Sequence, residues 1–292
     1  LGIAIVHTSF NLLCTALLFP FTGFLEKLAT MTIKDGKKKE EYAMLDERLL
    51  NTPAIAIERC KEVTKSMGEL TKEGLFLSFE LITKFDEKAA AKVREDENKA
   101  DEYEDKLGTY LVKLSAESMT RKDSIRAAEL LKMIGDIERI SDHSVNLVES
   151  AEEMNDKKIA FSASAKQELN TLIGAVREIT DLAMMSFYED DKEAASKVEA
   201  LEEVVDNLKE ELKKRHVARL QKGECTIELG FVFQDIITNL ERISDHCSNI
   251  AGCVSETSRE ELHIHEYLSE LKQDEKSGFE SMYKKYKEKY AI

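Results

Sequence analysis

Apolar residues recur at intervals of three and four along most of the chain, as at Leu107, Leu111 and Leu114. This spacing places them on one face of an α-helix, which can then be buried. The pattern predicts six long helices, over residues 52–83, 86–119, 121–155, 163–188, 191–221 and 226–257. The chain is therefore expected to be all-α.

Capping residues support these bounds. Thr120, Ser162 and Asp190 precede three of the predicted helices, and such side chains accept hydrogen bonds from the first free backbone amides. Gly223 follows the helix over 191–221 and is expected to end it, because glycine adopts the left-handed conformation common after helices.

An internal repeat divides the helices into two sets of three. Residues Glu138 to His143 read Glu-Arg-Ile-Ser-Asp-His, and the same six residues recur at Glu241 to His246, an offset of 103 residues. Asn146 and Asn249 match at the same offset. Duplication of a three-helix unit explains the identity and predicts two tandem three-helix bundles over residues 46–258. Repeat 1 spans about 50–156 and repeat 2 about 160–258.

The beginning of the chain has a different character. No charged residue precedes Glu26, and residues 1–25 are mostly apolar. A membrane span needs about 20 such residues, so a transmembrane helix is expected within residues 1–30, followed by a linker over 31–45. Lysines are frequent just after the apolar stretch, which places everything after about residue 30 in the cytoplasm. They are Lys27, Lys34, Lys37, Lys38 and Lys39.

The alternative for this stretch is a buried core helix of a soluble protein. A signal peptide is disfavoured, because the basic leading region and the small-residue cleavage site are missing. The chain does not begin with Met, so the rest of the protein is expected upstream. His7 and Asn11 are polar residues four apart on one face, suited to a protein interior or to interhelical hydrogen bonds.

The end of the chain, over residues 259–292, is strongly charged. Phe279, Met282, Tyr283 and Tyr286 follow helical spacing and predict a final amphipathic helix. Whether it docks on the bundles is left open by the sequence.

Composition excludes several classes of function. The chain has 57 Asp and Glu and a net charge of −15, whereas nucleic-acid binding requires surfaces rich in Lys and Arg. Five cysteines without a CxxC pair fit neither a disulfide framework nor a zinc site. The motifs of phosphate-binding loops, nucleophile elbows and zinc proteases are missing, so an enzyme is not expected.

Pairs of carboxylates four residues apart are the main candidates for chemistry. Such residues lie about 40° apart on a helix, on one face. Each repeat has one pair in its second helix and one in its third, and in a helical hairpin the two pairs can face each other. The predicted metal ligands are Glu97, Asp101, Glu138 and Asp142 in repeat 1, and Glu202, Asp206, Glu241 and Asp245 in repeat 2.

Converging carboxylates are hard oxygen ligands, which suit iron, manganese, magnesium or calcium, and bridging carboxylates can hold several ions. The alternative is a solvated acidic helix face, which is common in so acidic a chain. His143 and His246 lie about 140° from the glutamate of their motif, so packing or support of the ligands is their expected role. Arg139 and Arg242 are expected to pair with neighbouring helices.

The repeated hexapeptide, with its asparagine, resembles the helical motif of the PhoU family, written ERIGDHAxN, with serine in place of glycine. The pairs Glu97/Asp101 and Glu202/Asp206 resemble the family's other metal-cluster motif. Over residues 50–258 the resemblance implies two three-helix bundles, multinuclear metal clusters with iron as the first choice, and regulation of phosphate uptake.

Residues 7–11, His-Thr-Ser-Phe-Asn, resemble the closing helix of the sodium/phosphate cotransporter family, whose members often carry a C-terminal PhoU-like domain. This resemblance implies the last transmembrane helix of a truncated transporter domain in the plasma (inner) membrane. The function so implied is that of a cytoplasmic, metal-binding regulatory region of a sodium-dependent phosphate cotransporter. Its partners would be the upstream domain of the same chain, with sodium and phosphate bound there, and the membrane.

Three alternatives stay open: a soluble PhoU-type regulator of phosphate uptake, a carboxylate-bridged metalloenzyme, and a purely structural acidic bundle. The metalloenzyme is the least favoured, because the Glu-x-x-His ligand spacing of di-iron oxidases is missing. Assembly into a homo-oligomer is also left open.

Overall fold

A computed structural model describes residues 2–18, 45–256 and 278–292, and within these ranges all regular secondary structure is helical. A short 3-10 helix, Glu47–Asn51, precedes the long helices. The α-helices are α1 Gly2–Leu18, α2 Pro53–Thr83, α3 Glu87–Ser115, α4 Arg121–Lys157, α5 Ala163–Glu189, α6 Lys192–Gln221, α7 Ile227–Glu256 and α8 Phe279–Lys289. The six helices predicted between residues 52 and 257 are confirmed, most bounds within two residues.

The chain divides into two units, residues 1–43 and 44–292. Helix α1 belongs to the first unit, and in it the Asn11 amide lies 3.2 Å from His7 Nδ1, so these residues share a face as expected.

The described residues include no helix with both the length and the apolar character needed to cross a membrane. The expectation of a membrane-spanning helix within residues 1–30 is therefore not supported. Helix α1 has 17 residues. Residues 19–30 and most of the predicted linker lie outside the described ranges.

Local side-chain chemistry sets the helix ends. The Thr120 and Ser162 side chains accept hydrogen bonds from the Asp123 and Ala165 amides, as predicted. The prediction for Asp190 was wrong by one residue: Asp191 caps α6, and Asp190 ends α5 in the left-handed conformation. Gly223, with φ +70°, follows the end of α6 as expected.

Helices α2, α3 and α4 pack into one three-helix bundle, and α5, α6 and α7 pack into a second. The expected pair of tandem bundles is confirmed. Short connections return the chain after each helix, which favours antiparallel neighbours. Each bundle therefore brings its second helix against its third, and these two helices carry the paired carboxylates.

The two bundles meet through their third helices, α4 and α7. Ile140 and Ile243, the isoleucines of the repeated hexapeptide, are both fully buried. Ser141 and Ser244, which follow them, are also buried. One face of the hexapeptide thus packs into the core, and the other face keeps its Glu and Asp toward the second helix of its own bundle.

Helix α8 docks on α6, which answers the question that the sequence left open for residues 279–289. Tyr286 is buried in the contact. Lys289 forms an ion pair of 2.7 Å with Glu178, and the Tyr290 hydroxyl donates to the Gly174 carbonyl at 3.3 Å. Residues 257–277, which include the start of the predicted tail, lie outside the described ranges.

Candidate metal centres

The first centre lies between α3 and α4. Glu97 and Asp101 stand one turn apart on α3, and Asp142 faces them from α4. Carboxylate oxygens of the three residues all lie within 4.8 Å of one another. Three of the four ligands predicted in repeat 1 thus converge from two helices.

The second centre repeats this arrangement between α6 and α7. Glu202 and Asp206 stand on α6, Asp245 stands on α7, and their carboxylate oxygens likewise fall within 4.8 Å of one another. Two helical hairpins of different sequence therefore build the same constellation, as an ancestral duplication requires.

Glu138 and Glu241, the fourth predicted ligand of each repeat, stand outside these groups of three, although each adjoins its own group. Burial raises the pKa of Glu138 to about 7, and the nearby negative charge of Asp142 adds to the effect. Glu138 is thus a partly desolvated carboxyl group that stands beside another negative charge. A cation at this position would relieve the repulsion.

The arginines of the hexapeptide contact their own helix, so the expectation that they pair with neighbouring helices was wrong. Arg139 donates to Asp142 and Arg242 donates to Asp245, both at 3.1 Å. Residues three apart on a helix are neighbours on its surface, which explains the choice of partner. Both arginine side chains are largely exposed, at 62% and 58%, so each contacts the aspartate of its centre from the solvent side.

Burial also raises the pKa of the other clustered acids. Desolvation is the main cause for Glu97 and Asp101, and the charge of Asp142 adds to it in both. For Asp206 and Asp245 desolvation is again the main cause, and Glu241 contributes next. Both centres therefore hold carboxylates in surroundings that disfavour uncompensated negative charge.

The residues present fit a hard cation. Asp206 Oδ1 and Glu241 Oε2 are buried oxygen atoms that have no hydrogen-bond partner in the described part of the chain. A buried carboxylate oxygen is costly unless a donor or a cation satisfies it. An all-oxygen donor set matches magnesium, calcium, manganese or iron.

His143 and His246 point instead into the α4–α7 interface. His143 Nδ1 lies 2.8 Å from Asn239 Oδ1, and His246 Nδ1 lies 2.9 Å from Asp136 Oδ1. Burial lowers the pKa of His143. The two imidazole rings lie 5.6 Å apart, centroid to centroid. These contacts fit the predicted packing role of the histidines.

The asparagines of the motif complete the contact. Asn146 donates to Asn239 Oδ1 at 3.1 Å, and Asn249 donates to Asp136 Oδ1 at 3.0 Å. We call this group of six side chains the His–Asn clasp; it consists of Asp136, His143, Asn146, Asn239, His246 and Asn249. The motif of the first repeat contacts Asn239 of the second repeat, and the motif of the second repeat contacts Asp136 of the first. Positions 136 and 239 are themselves 103 residues apart.

Sequence reasoning missed Asp136 and Asn239, although a signal was present. They precede His143 and His246 by seven residues, two helical turns, and so lie on the same face. It also missed Lys209, whose ammonium group lies 2.9 Å from Glu241 Oε1 in the second centre. Lys209 follows Asp206 by three residues, the spacing of neighbours on a helix surface.

Comparison with known proteins identifies the family to which this duplicated architecture belongs. The profile of the PhoU domain matches twice, over residues 64–151 and 169–254, which together make up more than half of the chain. The chain belongs to the PhoU domain family. Each matched stretch contains one complete carboxylate centre, so the PhoU repeats coincide with the repeats read from the sequence.

Among similar sequences is "phosphate-specific transport system accessory protein PhoU homolog 1" of Thermotoga maritima. It is 27% identical over 191 residues, 65% of this chain and 82% of that protein. "Putative inorganic phosphate export protein YjbB" of Escherichia coli is 22% identical over 270 residues, 89% of this chain. The chain spans 49% of the length of YjbB, about half. Membership in a sodium/phosphate cotransporter family is not shown.

A PhoU crystal structure from Pseudomonas aeruginosa has the same fold, with a TM-score of 0.65 and 20% identity. The similarity covers 71% of this chain and 97% of the PhoU chain. A PhoU structure from Streptococcus pneumoniae gives a TM-score of 0.64 with 16% identity. The six-helix PhoU fold is therefore present in full.

Proposed function

We propose that this chain is a PhoU-type regulator of phosphate transport, acting in phosphate homeostasis on the cytoplasmic side of the membrane, and that its two carboxylate centres bind metal ions. The single observation that carries the proposal is the same three-carboxylate constellation in both PhoU repeats. In each repeat it brings carboxylates of two helices together, and their like charges repel unless a cation lies between them. The function is regulatory, and we assign no reaction to it.

The geometry suggests what a bound metal would do. Each centre takes two carboxylates from one helix and one from the next. A cation shared between them removes the like-charge repulsion and holds the two helices in one register. The motif that supplies Asp142 and Asp245 also supplies the His–Asn clasp, so metal binding would stabilise the contact between the repeats. A transporter partner would then meet a rigid six-helix surface.

The metal sites can be tested directly. Asp142→Asn combined with Asp245→Asn keeps the shape of both side chains and removes one ligand charge from each centre. Metal analysis after purification, followed by equilibrium dialysis against Mn²⁺ and Fe²⁺, should find bound metal in the wild type and little in the double variant. Glu117→Gln with Glu224→Gln is the matched control, since both glutamates are exposed and lie outside the centres. Equal metal content in the wild type and the double variant would exclude these sites.

Regulation is tested in the cells from which the gene comes. Cells lacking the gene should lose the normal decrease of phosphate transport when phosphate is abundant. The wild-type gene should restore that response, and the Asp142→Asn/Asp245→Asn variant should restore it poorly. Transport of labelled phosphate that responds normally to phosphate supply in the deletion strain would contradict the proposal.

The similarity to YjbB supports a second candidate, a regulatory region within a longer phosphate export protein. The similarity extends over 270 residues of this chain, well beyond the two PhoU matches. In this case the transporter partner would be another part of the same protein, and sodium coupling would be a property of that part. Phosphate transport that depends on sodium and disappears with the gene would support it. Transport unaffected by sodium would argue against sodium coupling.

A further inference from the structure

One matched position beside the carboxylates carries opposite charges in the two repeats. Lys209 follows Asp206 by three residues on α6, and its counterpart in the first repeat is Glu104, which follows Asp101 by three residues on α3. The offset of 105 residues is the one that relates Glu97 to Glu202. Matched positions beside matched carboxylates thus carry opposite charges.

Lys209 takes part in the second centre. Its ammonium nitrogen lies 2.9 Å from Glu241 Oε1, and the lysine and glutamate side chains are only 19% and 12% exposed. A pair so well shielded from water is screened weakly by salt. Glu241 is the hexapeptide glutamate that adjoins Asp206 and Asp245, so the ammonium group supplies positive charge at the edge of the carboxylate group.

The first centre has no such cation among the described residues. Glu138, the counterpart of Glu241, forms an ion pair with its neighbour Arg139, at 3.5 Å. Arg242 offers Glu241 the same kind of contact at 3.8 Å, so the arginines do not distinguish the repeats. The ion pair of Lys209 with Glu241 has no counterpart in the described part of the first centre, where the matched residue is Glu104.

We propose that Lys209 is a built-in cation that weakens metal binding at the second centre, so that the first centre binds a divalent metal first and more tightly. The inference rests on the proposed metal-binding function. A metal ion at the second centre must displace the ammonium group from Glu241 or bind beside it, and like charges at such distances repel. At the first centre, Glu104 occupies the matched position, so that position supplies no ammonium group to compete with a metal ion.

Single variants identify the two centres. Mn²⁺ is titrated into the purified full chain by isothermal calorimetry, with bound Mn²⁺ counted by electron paramagnetic resonance. The wild type should show a tighter and a weaker class of sites, with affinities about tenfold or more apart. Asp142→Asn should remove the tighter class, and Asp245→Asn should leave it in place. Loss of the tighter class in Asp245→Asn instead would overturn the proposed order.

Charge variants test Lys209 itself. Lys209→Met keeps the length of the side chain, and it should raise the affinity of the second centre about tenfold, toward that of the first. Lys213→Met is the matched control, an exposed lysine one turn further along α6, and it should change neither class. Glu104→Lys should weaken the first centre and leave the second unchanged.

These experiments distinguish failure of the proposed role of Lys209 from failure of the proposed metal binding. If Mn²⁺ binds neither the wild type nor Lys209→Met, the metal centres are refuted, and this inference with them. Binding at two equal sites in the wild type would refute only the role of Lys209. An unchanged weaker class in Lys209→Met, together with a normal thermal unfolding curve, would refute it as well.

Discussion

Glu138 combines burial with nearby negative charge, and this combination has a consequence for pH dependence. Its pKa is raised to about 7 in the folded protein, whereas a glutamate in an unfolded chain titrates near its ordinary value of 4.5. Between these values the folded state binds more protons than the unfolded state. The contribution of Glu138 to the free energy of unfolding therefore falls as pH rises from about 4.5 to 7.

Glu138→Gln removes this dependence. In metal-free buffer the variant and the wild type should be about equally stable near pH 4, and the variant should be the more stable protein at pH 8. Urea denaturation at pH 4, 5, 6, 7 and 8, with a chelator present, measures the difference. Glu117→Gln, at an exposed site outside the centres, is the control. A difference that does not change with pH would show that Glu138 titrates normally.

At the scale of elements, the His–Asn clasp joins the two repeats with unequal partners. Asn239 uses its amide to donate to the Asp235 carbonyl at 2.9 Å, but Asp136 has no amide, and its Oδ2 is buried without a hydrogen-bond partner in the described chain. The corresponding carbonyl in the first repeat belongs to Lys132. Asparagine at position 136 could use that carbonyl as Asn239 uses its own.

We therefore expect Asp136→Asn to change the free energy of unfolding by less than about 1 kcal/mol, because the amide oxygen can still accept from His246 and Asn249 and the new hydrogen bond offsets the lost negative charge. Asp136→Ala leaves His246 and Asn249 without their shared acceptor and should cost about 1 to 3 kcal/mol. Chemical denaturation of both variants provides the comparison. Equal losses in the two would show that the negative charge of Asp136, rather than its hydrogen bonds, stabilises the interface.

Helix α8 has less buried surface than the bundle helices, and Tyr286 is its one buried residue within Phe279–Lys289. Tyr286→Ala should therefore detach α8 locally, at a cost of about 1 to 3 kcal/mol in the opening of that helix. Hydrogen exchange should accelerate at the amides of α8 and stay unchanged in α4 and α7. Lys285→Ala, at an exposed position of the same helix, should leave exchange as it is.

At the scale of the whole molecule, each bundle holds one carboxylate centre, and the His–Asn clasp joins α4 of the first bundle to α7 of the second. A metal that binds only the folded state stabilises it by mass action, about 2.7 kcal/mol per site at a concentration 100 times the dissociation constant. We expect Mn²⁺ to raise the melting temperature of the wild type, and a chelator to reverse the increase. The Asp142→Asn/Asp245→Asn variant should show almost no response in scanning calorimetry. An equal response in both would place the metal elsewhere.

The sequence by itself determined the helices, their caps within one residue, the two repeats and six carboxylates that the structure brings together. These features follow from local spacing: helical periodicity, capping chemistry and a verbatim duplication leave their marks along the chain. The apolar run at the start predicted a membrane-spanning helix, and this prediction is not supported. Within the described residues, no helix has both the length and the apolar character to cross a membrane.

Only the tertiary structure decided which residues meet across helices. The partner of His246 is Asp136, 110 positions earlier, and Lys209 reaches Glu241 on the next helix. Such contacts depend on the rotation and height of packed helices, and helical periodicity specifies a face without specifying its partner. The charge difference between Lys209 and Glu104 was visible in the sequence. Only the tertiary structure places the Lys209 ammonium group against the shielded Glu241 carboxylate, where it can affect metal binding.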